Sequence, residues 1–222
     1  MPSIPDAVPP SAPPPRPSLR LIGYEGIAFL ALAVAAAIGV RVRQPAPMLL
    51  DRAVRDFMLA HQNAGCRQFL LIVSMLGAPN PMILLAVAGC LFVWWRRDSL
   101  EALAVLVSPA GALALYELGK RLYARPRPAG AFEGGYAFPS AHATASAAVF
   151  CTLAYVLWQE RFIPGPLALA VSVGLPALIG LSRLYLNVHW ASDVIGGWAA
   201  GLGVAALSIA LFGRARREQV LA

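Results

Sequence analysis

Residues 21–40 read LIGYEGIAFLALAVAAAIGV, from Leu21 to Val40, with Glu25 as the single charge. At a rise of about 1.5 Å per residue, such a stretch covers the ~30 Å hydrocarbon core of a bilayer. A helix that is apolar on every side has no solvated face, so it reads as a membrane span. Arg16 and Arg20 precede the run and alanine is frequent within it. Those features also suit a cleaved leader, but the apolar stretch is longer than the roughly 7–15 residues of a leader core.

The rest of the chain repeats the pattern. Of 222 residues, 59% are hydrophobic and 13% charged, against about 25% charged in a soluble domain. Further spans are predicted at 69–95, 100–119, 141–158, 165–181 and 194–212. The second is interrupted by Gly77-Ala78-Pro79-Asn80-Pro81, where proline must kink or break it. Trp94-Trp95-Arg96-Arg97 marks its exit at an interface, and Asp98 with Glu101 resembles a capping box opening the third. Pro176 should kink the fifth. Gly197 and Gly201, four apart in the sixth, permit close helix approach.

Residues 46–60 place Leu50, Val54, Phe57 and Met58 on one helical face and Asp51, Arg52, Arg55 and Asp56 on the other. That pattern predicts a short helix lying in the membrane interface. The expected architecture is all-α: a polytopic bundle of six transmembrane helices over 21–213 plus the interfacial helix. Residues 1–20, with eight prolines, read as a disordered tail, and residues 214–222 as a basic C-terminal tail.

Six spans put both termini on one side and 41–68, 120–140 and 182–193 on the other. Those segments hold the chemistry. The chain has eighteen basic residues but one lysine, Lys120, which opens the run Lys120-Arg121-Leu122-Tyr123-Ala124-Arg125-Pro126-Arg127-Pro128. Pro139-Ser140-Ala141-His142 follows, then Ser182-Arg183, His189 and Asp193. Lys120, Arg127 and Arg183 can neutralise a phosphoryl group, arginine as a planar fork and lysine as a point charge. Arg121 and Arg125 read instead as span-end arginines reaching for the interface. Ser140 is a natural N-cap, and the amides of Ala141 and His142 can bind an anion at a helix start. His189 and Asp193, four apart, form a carboxylate–imidazole pair suited to a base or nucleophile. A metal pair there would be repelled by three converging cations, and no carboxylate or thiolate cluster supports one. Glu117, one turn before Lys120, can pair with it. Tyr123, Tyr136, Phe138, Tyr185 and Trp190 flank the blocks as a possible interfacial belt. Cys66, Cys90 and Cys151 show neither ligand spacing nor a disulfide framework.

The net charge of +7 forms no stripe with interleaved aromatics, which argues against nucleic acid and for anionic lipid. Eight basic residues fall on the terminal side and ten on the site side, so charge does not orient the chain.

Lys120 with Arg127-Pro128, then Pro139-Ser140-Ala141-His142, then Ser182-Arg183 with His189 and Asp193, resemble the three-part signature of the type 2 phosphatidic acid phosphatases. That superfamily includes membrane lipid phosphatases, glucose-6-phosphatase and vanadium haloperoxidases. The blocks span 120–193, and the six-span layout extends the likeness to about 21–212. One position departs: the family usually has glycine where Ala141 stands.

The resemblance implies a membrane phosphatase with His189 as nucleophile, Asp193 orienting it and His142 as acid and then base. It implies that Lys120, Arg127, Ser140, the Ala141 amide and Arg183 hold the phosphoryl oxygens, with no metal and no cofactor. It further implies a lipid phosphate or diphosphate substrate entering from the bilayer: undecaprenyl diphosphate first, then phosphatidylglycerophosphate or phosphatidic acid. A bacterial inner membrane with the site facing outward is the expected setting. A phosphotransferase using the same histidine, and a non-catalytic lipid-phosphate binding or transport protein, are the alternatives. Oligomeric state is not legible.

Overall fold

The computed structural model describes residues 21–44, 46–97 and 100–221. The predicted tail at 1–20 and the Asp98 cap lie outside them. The described residues form eight helices: α1 (Leu21–Arg41), α2 (Leu49–Ala60), α3 (Ala64–Leu76), α4 (Pro79–Arg97), α5 (Glu101–Tyr123), α6 (Ala141–Gln159), α7 (Gly165–Tyr185) and α8 (Ala191–Leu221). Six of them, α1 and α4 to α8, are long and apolar enough to cross a membrane. Together with the family likeness reported below, this makes the chain an integral membrane helix bundle.

Two predicted elements differ. The second span is two helices: the chain leaves α3 at Gly77 and restarts at Pro79. Proline suits a first turn, where its missing N–H costs nothing, and cannot continue α3. The thirteen-residue α3 packs on α7, while α4 packs on α5 and α6. The second difference is that α8 runs to Leu221, through the residues expected as a tail.

α6 and α8 form the centre, flanked by α5 and α7, with α4 on α5 and α6 and α1 along α8. The α6 sequence Ala143-Thr144-Ala145-Ser146-Ala147-Ala148 is buried throughout. Opposite it stand Gly197 and Gly201. A Cβ on Gly201 would lie 2.3 Å from the Thr144 carbonyl oxygen, and one on Gly197 would lie 2.9 Å from that of Ser140. The predicted small-residue pair is therefore the α6–α8 seam, and it draws the N-terminal end of α6 against the start of α8. Hydroxyls inside the bundle bond to backbone: Thr152 donates to Ala148 O at 2.8 Å and Ser108 to the same oxygen at 3.2 Å. Where Pro176 interrupts the α7 ladder, the Ser172 carbonyl accepts from Cys151 Sγ at 3.5 Å, and Pro176 O accepts from Trp198 Nε1 at 3.0 Å. Large apolar side chains such as Phe29, Leu84, Trp95 and Leu169 face outward, as lipid-facing positions should.

At one end of the bundle Arg97 pairs with Glu160 and Arg214 with Glu25. At the other, α2, the 124–140 segment and the α7–α8 turn meet. α2 exposes Leu49, Leu50 and Phe57 and turns Asp51 and Arg55 onto the protein, while Arg52 and Asp56 stay exposed. Arg55 donates to Asn187 Oδ1 at 3.0 Å and Ala129 O at 3.1 Å.

Candidate active site

The N-termini of α6 and α8 and the C-termini of α5 and α7 deliver the three sequence blocks to one end of the bundle. His189 lies in the short turn between α7 and α8 and is 4% exposed. Its Nε2 stands 3.2 Å from Arg127 Nη1, and its Nδ1 stands 3.3 Å from Asp193 Oδ2. A guanidinium only donates, so Nε2 accepts and the imidazole proton sits on Nδ1, facing Asp193. The neutral ring thus keeps a lone pair on the nitrogen that faces the arginines. Burial, the largest cause, pushes the His189 pKa from 6.5 down to about 4; Asp193 pulls upward, and Arg127 and Arg183 push down further.

Asp193 is wholly buried in the first turn of α8. Its Oδ2 also accepts from the Trp190 amide at 2.8 Å, and its Oδ1 from Arg125 Nη1 at 2.6 Å. The carboxylate therefore starts the helix and holds the imidazole.

Arg127 extends from the Pro-rich segment, donating from Nε to Gly134 O at 3.0 Å and from Nη1 to Val188 O at 2.7 Å. Arg183, in the last turn of α7, is 2% exposed and donates to Ser74 Oγ and Glu133 Oε1. Glu133 Oε2 lies 3.1 Å from Arg127 Nη1, so one carboxylate bridges both arginines. Burial raises the Glu133 pKa, but Arg183, Arg127 and His189 outweigh it and hold the group below its usual 4.5. Lys120, in the last turn of α5, donates to Tyr136 O rather than to Glu117 and lies in the field of Arg127, Asp193 and Glu133. His142, part-buried on the first turn of α6, lies within electrostatic reach of Arg183, Glu133, His189 and Arg127.

Ser140 departs from expectation. It occupies the N-cap position of α6, yet its side chain makes no cap hydrogen bond. Its amide donates to Asp193 O at 3.0 Å, while Oγ is buried with no partner. Arg183 Nε is the second buried donor in this cluster without one. Unpaired buried polar groups are rare and costly, and both of these stand at the same end of the bundle. Ala141 follows as the first residue of α6, where the first-turn amides have no intrahelical acceptor.

All eight residues singled out from the sequence therefore reach one end of the bundle. Four expectations need correction. Arg125 is not a snorkelling cation: it is 4% exposed and held by two carboxylates. Asp51 is not on a solvated face but 1% exposed beneath the site. Ser182 lies inside α7, buried, because the helix continues to Tyr185. Phe138 and Tyr185 are buried as well, so they join no aromatic belt. Glu133 and Ser74, both in contact with Arg183, carried no sequence signal. Glu133 sits alone in a Gly-rich loop, and Ser74 is one hydroxyl in an apolar helix.

A family model described as the PAP2 superfamily matches residues 101–217, just over half of the chain. The chain belongs to the PAP2 superfamily. The resemblance drawn from the three blocks is thereby borne out. The chain is 28% identical over 180 residues to phosphatidylglycerophosphatase B of Bacillus subtilis (strain 168), covering 77% of this chain and 85% of that protein. It is 27% identical over 146 residues to undecaprenyl-diphosphatase of Sulfolobus acidocaldarius, covering 58% and 68%. Its fold matches the crystal structure of a transmembrane PAP2-type phosphatidylglycerolphosphate phosphatase from Bacillus subtilis, with a TM-score of 0.72 at 24% identity. That match covers 89% of this chain and 96% of the other.

Proposed function

We propose that this PAP2 protein is a membrane phosphatase that hydrolyses a lipid phosphate or diphosphate through a phosphohistidine on His189. The observation that carries the reading is the neutral His189, held between Asp193 and Arg127, at the end of the bundle that also holds Lys120, Arg183 and the unpartnered Ser140 Oγ and Arg183 Nε. The printed names of the two relatives, one a phosphatidylglycerophosphatase and one an undecaprenyl-diphosphatase, support a lipid phosphate or diphosphate as substrate.

His189 Nε2 attacks phosphorus in line with the leaving oxygen, exchanging its hydrogen bond from Arg127 for a P–N bond. The P–O bond to the lipid breaks, and His142, protonated once the bound phosphate anion offsets the arginines around it, gives that proton to the departing alkoxide or phosphate. Asp193 stabilises the imidazolium that forms, as a buried carboxylate on Nδ1 does for any histidine that gains charge. His142, now basic, takes a proton from water; the hydroxide attacks phosphorus, the P–N bond breaks, and phosphate leaves. Lys120, Arg127, Arg183, Ser140 and the Ala141 amide hold the phosphoryl oxygens throughout. Phosphoryl transfer asks for positioning and charge stabilisation, which these groups supply. The site faces the outer side of a bacterial inner membrane, where the exposed apolar face of α2 rests in the interface.

The test is phosphate release by detergent-purified protein from undecaprenyl diphosphate, phosphatidylglycerophosphate and phosphatidic acid. At least one is turned over, and His189→Ala lowers kcat by about 10³-fold or more. Unchanged turnover by His189→Ala, with the variant folded, would overturn the reading.

A further inference from the structure

Beneath the site lies a polar cluster that the proposed chemistry does not use. Asp51 comes from α2, Arg125 from the Pro-rich segment, and Ser192 and Asp193 from the start of α8. Each is at least nine-tenths buried. Arg125 Nη2 donates to Asp51 Oδ2 and Nη1 to Asp193 Oδ1, each at 2.6 Å. Nη1 also lies 2.6 Å from Ser192 Oγ. Asp51 Oδ1 accepts from the Ser192 amide at 2.8 Å and from Ser192 Oγ at 2.7 Å. A carboxylate from α2 therefore takes the first-turn Ser192 amide of α8, as a cap residue within that helix ordinarily would. The Trp190 ring covers Arg125, with the guanidinium carbon 5.5 Å from its centre.

Three buried charges are costly to desolvate, and a well-packed apolar trio would stabilise at least as well. What the trio supplies is direction. Arg125 fixes Asp193 Oδ1, which leaves Oδ2 aimed at His189 Nδ1, and Asp51 fixes Arg125.

We infer that Asp51 and Arg125 are positioning residues that act through Asp193 to hold and tune the His189 imidazole, tying the interfacial helix α2 to the nucleophile. This rests on the reading of His189 given above. The charged and titratable groups that reach His189 are Asp193 from α8, Arg127 and Glu133 from the 124–140 segment, Arg183 from α7 and His142 from α6. Of these, Asp193 alone contacts Arg125. A change at Arg125 or Asp51 therefore reaches the imidazole through Asp193, while the phosphate-holding groups keep their places.

The experiment uses the full chain in detergent, dioctanoyl phosphatidic acid as the probe, and Asp51→Asn, Arg125→Lys and the double variant. Lysine keeps the charge but cannot span two carboxylates, and asparagine keeps the shape but not the charge. Each single variant lowers kcat about tenfold or more while KM stays within about twofold, the pattern of a lost transition-state interaction. Because Asp51 acts through Arg125, the double variant is no slower than the slower single one. Removing the Asp51 charge also moves the acid limb of kcat/KM to lower pH, which damage to folding alone would not do. Wild-type kcat in both single variants, multiplied losses in the double, or losses confined to KM would overturn the inference. His189→Ala separates the two ideas: if it stays active, the phosphohistidine reading fails. If it is dead and the relay variants behave as wild type, only the relay fails.

Discussion

Arg125 and Arg127 stand two residues apart, each followed by proline, yet they serve two different regions. Arg125 goes down into a closed network with Asp51, Ser192 and Asp193, whose partners are all supplied by the protein. Arg127 goes to a region left incomplete, where Arg183 Nε and Ser140 Oγ lack partners and a single loop carboxylate bridges two cations. Proline biases the residue before it toward extended or polyproline II backbone. In polyproline II, three residues per turn, side chains two apart diverge by about 120°. A repeated Arg-Pro can thus send one arginine to the buried scaffold and the next to Glu133 and His189. The difference teaches that chemical type does not assign the role of a cation here; the partners already present do.

Substitution at the two positions is the strongest way to break this contrast. Arg127→Gln lowers kcat/KM for lipid phosphate by about 10²–10³-fold, the usual cost of losing one preorganised charge at the transition state. Its thermal unfolding midpoint falls less than that of Arg125→Gln, because Glu133 keeps Arg183 as its partner. Arg125→Gln destabilises the fold by about 3–5 kcal/mol, since two buried carboxylates lose their common cation. Phosphate release and thermal unfolding on the same purified samples give both numbers. Equal stability losses would show that the two regions are one.

The pH profile comes next in size. The His189 pKa lies near 4 because burial and its arginine neighbours outweigh Asp193. A depressed value means the neutral, nucleophilic ring persists to low pH. Activity therefore holds through the acidic range, and kcat/KM falls about tenfold per unit only below about pH 4. Stability runs in the same direction: the unfolded ring takes up its proton near 6.5, so folding free energy is drawn down as pH falls from there toward 4. An acid limb at pH 6.5 in the wild type would mean that His189 is not held as described. In the folded fraction of Arg125→Gln, the limb moves up, because Asp193 then turns its full charge on the imidazole.

The span count, the Gly197–Gly201 seam and the three polar blocks are legible because each is written in local spacing. The second span misled because Gly77-Ala78-Pro79 reads equally as a kink or as a break. Its flanks decide: α3 finds α7, and α4 finds α5 and α6. Ser140 reads as a cap because Ser before a helix usually is one; its backbone does start α6, through Asp193 O and Thr144 N, while its hydroxyl makes no cap bond. Asp51 and Glu133 could not be placed from sequence at all. Their partners lie 74 and 50 residues away respectively, at Arg125 and Arg183, and only the bundle's topology brings them together.

The smallest effect sharpens the contrast from the open side. Glu133 is ionised at pH 7, since its arginine partners outweigh burial and hold its pKa below 4.5. Its two oxygens take guanidinium donors of Arg127 and Arg183, the groups proposed above to hold the phosphoryl oxygens. A carboxylate on Arg127 and Arg183 therefore competes with any incoming anion, whereas the carboxylates on Arg125 compete with nothing, being closed off from substrate. Glu133→Gln removes the competing charge and leaves the shape. Inhibition by inorganic phosphate then tightens by about three- to tenfold, in line with exchanging one charge-assisted contact. Asn in place of Asp51 leaves phosphate affinity within about twofold, because that carboxylate acts on the imidazole and not on the anion. Inhibition constants for phosphate, measured with both variants at pH 7, decide the point. If Asp51→Asn were the one to tighten phosphate binding, the closed network would be part of the anion seat and the division between the two arginines would fall.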